Sequence, residues 1–123
     1  MTLHRSRDGI EYQTTDGTAH LALTMKPPTG TSWAMIGIVS TVARNDATLD
    51  TRGRTLAFVA KNNAGTPALV GTVTTLQNQG DGGTATWSVT ISAGATGIEV
   101  FVTGAAATNI TWGITTDVTI SEV

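Results

Sequence analysis

The chain has no cysteine, which excludes disulfide frameworks, thiolate metal sites and thiol redox chemistry and leaves the compartment open. Charge is scarce: 13% of the 123 residues are charged, against roughly 25% in ordinary globular domains. Aromatic residues make up only 5%. No apolar run approaches the roughly 20 residues of a membrane helix. The basic start, with Arg5 and Arg7, is followed by no apolar stretch of the kind a secretory signal needs. No lysine or arginine follows Lys61; the basic residues before it give way to Asp81, Glu99, Asp117 and Glu122. A compact domain so divided has a more basic and a more acidic side, which suits ordered stacking. The net charge of −2 and pI near 5.5 argue against nucleic acid as the main partner.

What is present is threonine above all, with alanine, glycine and valine, at a mean hydropathy of +0.08. This composition favours sheets and turns over helices. A chain of this length buries roughly two-thirds of its unfolded surface and needs no metal or disulfide to hold a core.

The strand signal is clearest in the last third. Over 84–92, Ala85, Trp87, Val89 and Ile91 alternate with Thr86, Ser88, Thr90 and Ser92. Ile98, Val100 and Val102 alternate with Glu99, Phe101 and Thr103, and Ile110, Trp112, Ile114, Val118 and Ile120 alternate with Thr111, Thr115, Asp117, Thr119 and Ser121. A period of two puts each apolar set on one face of a sheet. The opposite face is threonine and serine with almost no charge, so it is either lightly solvated or covered. Upstream, 18–25 alternates with Ala19, Leu21, Leu23 and Met25 inward and His20 outward, and ends at a proline-rich turn over 26–30. Residues 33–43 form a strand with little polarity on either face, the pattern of a doubly covered strand. Strands are expected over 54–61 and 68–76, with a charged loop over 44–53, a turn over 62–67 and a hairpin loop over 77–83. Residues 1–16 show no periodicity and read as an N-terminal arm, leaving 17–123 as one domain. The fold class is all-β, an antiparallel β-sandwich or jelly roll of about seven to eight strands.

The runs Leu69-Val70-Gly71-Thr72-Val73-Thr74-Thr75-Leu76 and Ala85-Thr86-Trp87-Ser88-Val89-Thr90 resemble a small β-module of bacteriophage virion proteins. The resemblance continues through Ile98 to Gly104 and Ile110-Thr111-Trp112 to the closing Ile120-Ser121-Glu122-Val123. It implies display on the particle exterior and homotrimerisation. With so few residues before the first expected strand, the chain resembles a capsid decoration (cement) protein or short head fibre. The receptor-binding tip of a tail fibre and a carbohydrate-binding or adhesion module are the alternatives. The implied partners are the chain itself, a major capsid or other virion protein, and a host glycan or receptor. The implied location is the virion, after synthesis in the host cytoplasm.

Catalytic chemistry is not expected. His4 and His20 are the only imidazoles, with no second histidine at metal-ligand spacing, and no nucleophile elbow is present. Asp46 and Asp50 share a loop with Asn45, but without the ligand alternation of a calcium loop a solvated loop is the better reading. No cofactor or metal is assigned. The candidate docking residues are Leu3, Arg5, Arg7, Ile10 and Tyr12 of the arm, together with a contact loop of Arg44, Asp46, Asp50, Arg52 and Arg54. Trp87 and Trp112, in phase with aliphatic neighbours, are expected to anchor the core with their indole N–H groups on backbone carbonyls. Trp33 is expected in the core, with an exposed binding position as its alternative.

Overall fold

In a computed structural model that describes residues 2–27 and 31–123, nine strands lie in two antiparallel sheets. They are β1 (Thr2–Thr14), β2 (Ala19–Met25), β3 (Ser32–Asn45), β4 (Thr51–Asn63), β5 (Ala68–Leu69), β6 (Thr74–Gly80), β7 (Ser88–Ala93), β8 (Ile98–Thr103) and β9 (Ile110–Glu122). The larger sheet runs β1-β9-β3-β4, with β5 and β6 one after the other along the far edge of β4. The smaller runs β2-β8-β7. The strand expected to stop in a turn over 26–30 ends at Met25, and the part of that turn at 28–30 lies outside the described residues. Among the described residues no helix is long and apolar enough to cross a membrane.

The alternation of β9 sends Ile110, Trp112, Ile114, Val118 and Ile120 into the space between the sheets. Trp33, Met35, Val39 and Ala43 from β3 and Leu56, Phe58 and Ala60 from β4 join them, facing Met25, Ile91, Ile98, Val100 and Val102 of the smaller sheet. Gly37 takes an inward position of β3 where a Cβ would fall 2.5 Å from Val118 Cγ1 and 2.7 Å from Phe58 Cε1. Only glycine lets the Phe58 ring lie across the strand there, so a larger residue would overpack the core.

Several expectations change. The arm is a strand: all of Thr2–Thr14 pairs with β9 in one unbroken register, from Thr2 opposite Glu122 to Thr14 opposite Ile110. The expected strand over 68–76 is broken at Gly71, whose φ of +73° is glycine's left-handed region. The second piece then runs on to Gly80, through most of the expected loop. Together these raise the strand count above the seven or eight read from the pattern. In β2 a bulge between Leu21 and Leu23 shifts the phase. His20 pairs opposite buried Val102, on the inner face, and Leu21 is 44% exposed. β7 begins only at Ser88, after a short 3-10 helix at Gly82–Thr84.

Candidate functional site: the outer face of the long sheet

Four long strands in register write a surface that can be read row by row. From one end, the outward side chains are Leu3, Ser121, Ala34 and Lys61, then Arg5, Thr119, Ile36 and Val59. Next come Arg7, Asp117, Ile38 and Ala57, then Gly9, Thr115, Ser40 and Thr55. Glu11, Gly113, Val42 and Gly53 follow, and Gln13, Thr111, Arg44 and Thr51 close the face. The column along β3 is an aliphatic ridge: Ile36 is 57% exposed, Ile38 43% and Val42 55%. Its flank on β9 is a furrow of threonine, serine and glycine, interrupted by Asp117 opposite Ile38. Val42 stands between Gly113 and Gly53, so nothing shields it from the side. Leu3, Ile36, Ile38 and Ala57 with Thr119 and Asp117 line a shallow hollow of about 490 Å3 on this face.

Apart from Asp117, which stands beside Ile38 in the β9 column, charge lies along the borders of the face, and most of it is paired. Arg5 Nη2 lies 3.3 Å and Arg7 Nε 3.4 Å from the carboxylate of Asp117, and the Arg5 hydrogen bond holds that carboxyl below its usual range. At the far end Asp46 accepts from Thr111 Oγ1 at 2.8 Å, Gln13 Nε2 at 2.9 Å and Arg44 Nη1 at 2.6 Å. These bonds, that from Thr111 foremost, depress its carboxyl as well. Asp46 thereby ties the β3–β4 hairpin to β9 and β1.

The residues singled out from the sequence fall into four places. Leu3, Arg5 and Arg7 stand on the outward face of β1, with Leu3 73% exposed. Ile10 and Tyr12 have the opposite parity and face inward, where the Tyr12 ring packs on the core and lies 6.4 Å from the His20 ring. Arg44 and Asp46 are at the hairpin. Arg52 and Arg54 sit on the inward face of β4, and they clamp the 81–87 segment that leads into β7. Arg52 Nε donates to Thr84 O at 2.7 Å and Nη1 to Asn78 Oδ1 at 2.6 Å, and Arg54 Nη2 donates to Trp87 O at 2.6 Å. The structure thus brings Arg44 and Asp46 together and turns Arg52 and Arg54 to another task. Among the described residues no three histidine, aspartate or glutamate side chains gather as a metal site.

Trp87 and Trp112 are 3% and 1% exposed, and Trp33 is 4% exposed. The Trp112 Nε1–H donates to Thr14 Oγ1 at 3.0 Å, a side-chain hydroxyl of β1 rather than the expected backbone carbonyl. The aliphatic ridge itself was not singled out as a site in the sequence, although its signal was there: residues 33–43 lack polarity on both faces, and only one of those faces meets the core.

At the β1–β2 turn, Asp16 Oδ1 accepts from Thr18 N at 3.0 Å and Thr18 Oγ1 at 2.8 Å and lies 2.8 Å from His20 Nε2. The His20 contact first, then the two Thr18 bonds, lower its pKa from 3.8 to about 2. A carboxyl depressed in the folded state adds stability that is present above its unfolded pKa and lost as pH falls through the folded one, here between about 4 and about 2. Asp16→Asn is therefore expected to lower the melting temperature at pH 7 and to lose that deficit near pH 2. Thermal melts by circular dichroism at both pH values check this; an equal gap at both would contradict it.

No protein-family model matches the chain, and no curated protein matches it significantly. Among solved structures, the tailspike protein of Acinetobacter phage vB_ApiP_P1 matches with a TM-score of 0.51 and 16% identity, over 89% of this chain and 21% of that one. The tailspike protein of Acinetobacter baumannii phage AM24 matches with a TM-score of 0.51 and 11% identity, over 97% of this chain and 26% of that one. At these identities the likeness is one of fold, and the chain spans about a fifth to a quarter of each tailspike's length.

Proposed function

We propose that the chain is a non-catalytic structural module of a bacteriophage particle, part of its tail spike or tail fibre, working as a homotrimer on the particle exterior. The observation that carries this reading is the bare aliphatic ridge of Ile36, Ile38 and Val42, beside which the β9 column is threonine, serine and glycine apart from Asp117. Such a face suits an assembly partner better than a small-molecule substrate. Two solved proteins that contain a segment of this fold are both tailspikes, which favours the tail over the capsid shell. Contact with a host glycan or receptor belongs to this reading as a role for the assembled module. Capsid decoration is the second reading, supported by the resemblance to exterior virion modules in the runs around Trp87 and Trp112.

Immunogold labelling of purified particles with an antiserum to this chain tests the assignment. Gold at the tail is expected. Gold spread evenly over the capsid would replace the tail role with decoration, and particles without label would remove the virion role altogether.

A further inference from the structure

We propose that the outer face of the long sheet is where copies of this chain meet, the β3 ridge of one copy seated in the β9 furrow of the next. This rests on the proposed self-association and adds to it which surface is buried. Four observations lead there. First, five large exposed apolar side chains, Leu3, Ile36, Ile38, Val42 and Val59, lie on this one face. Second, ridge and furrow run side by side along the full length of β3 and β9, 14 and 13 residues long. One copy therefore presents both halves of a head-to-tail contact, which three copies can close into a ring. Third, the size fits. Strands of this length extend about 43 Å and four neighbours span about 19 Å, roughly 800 Å2 of face. Each copy thus offers about the 800 Å2 that an ordinary specific interface buries on one partner, divided in a ring of three between its two neighbours. Fourth, most charges that border the ridge already have a partner within the chain, Arg5 and Arg7 sharing Asp117 and Arg44 on Asp46. A second copy would meet little like-charge repulsion along the ridge, whereas a strongly charged partner would find few free charges there to pair with.

The opposite surface of the sandwich differs. The outward side of the smaller sheet carries Leu21 at 44% exposure among threonine, serine and the half-buried Phe101, without a continuous aliphatic column. It supplies the control.

Ile36→Asp and Ile38→Asp test the proposal against Leu21→Asp, each measured by light scattering across micromolar to millimolar protein with circular dichroism as the check on folding. The unaltered chain is expected at three times its 12.7 kDa mass. The two ridge variants should fall to the single-chain mass with an unchanged spectrum, and Leu21→Asp should keep the assembled mass. Because the chain has no cysteine, single cysteines give a second readout independent of variant folding. Ser40→Cys, in the ridge column, should cross-link between copies with a short bis-maleimide, and Thr90→Cys, exposed on the smaller sheet, should not. An assembly that survives both ridge substitutions, or cross-links through Thr90→Cys alone, overturns this interface and leaves the trimer reading standing. A mass of two chains that the ridge variants abolish overturns the trimer and supports the interface. A single-chain mass for the unaltered protein at every concentration overturns both.

Discussion

Deleting residues 1–14 is expected to unfold the protein rather than free it of an appendage. Every residue of β1 is paired with β9, and the pairing has no bulge. Without β1, β9 changes from an interior strand to an edge, and a row of its backbone donors and acceptors loses partners. At about 1 kcal/mol net per hydrogen bond, that ladder rivals the roughly 5–15 kcal/mol total of a typical domain. Tyr12 is lost from the flank of the core, and the buried Trp112 Nε1–H loses the Thr14 hydroxyl. The truncated chain should therefore show no cooperative thermal transition and a collapsed near-ultraviolet signal. A truncated protein that melts within a few degrees of the full chain would mean that the β1–β9 ladder contributes nothing.

Trp112→Ala is expected to be the most damaging single substitution, costing about 3–5 kcal/mol. The side chain is 1% exposed and lies between Tyr12 of β1 and Ala43 of β3 in an interior strand of the long sheet. Its removal leaves a cavity that neighbouring backbones, locked in their ladders, cannot close, and strands the buried Thr14 hydroxyl. Trp112→Phe keeps most of the volume and loses the N–H, so its cost should be smaller. Urea denaturation of both variants gives the comparison. Equal and small shifts in midpoint would show that the indole is not packed as described.

How far the sequence revealed this fold depended on whether an element's inner side is covered. β8 and β9 were legible because their inward positions are buried, so apolar residues alternate along them, broken only at Thr116 and Glu122 of β9. β1 was not. Its inward positions begin His4, Ser6 and Asp8, none of which joins the core; Ser6, Asp8 and Ile10 instead line a hollow of about 300 Å3 with Leu23 and Met25 of β2. With no apolar side to read, a strand held by its ladder looked like an irregular arm. In β2 the alternation was real, but the bulge after Leu21 exchanged the faces of Leu21 and His20, which no count of periods detects. Arg52 and Arg54 read as part of one contact loop with Arg44 because sequence distance carries no parity of contact. Arg44 faces out at the hairpin, and the other two face in and bind the carbonyl groups of Thr84 and Trp87. The outer face was half legible: its threonine and serine suggested a cover, while the β3 ridge became a surface only once β9 and β4 were placed on either side of it.

The most direct measurement is the number of copies per particle, obtained by quantitative mass spectrometry of purified virions against the major capsid protein. A module of a tail spike or fibre should be present at a small fraction of the capsid subunit count, in a multiple of three per particle. A count approaching one copy per capsid subunit, or no copies at all, would contradict that role.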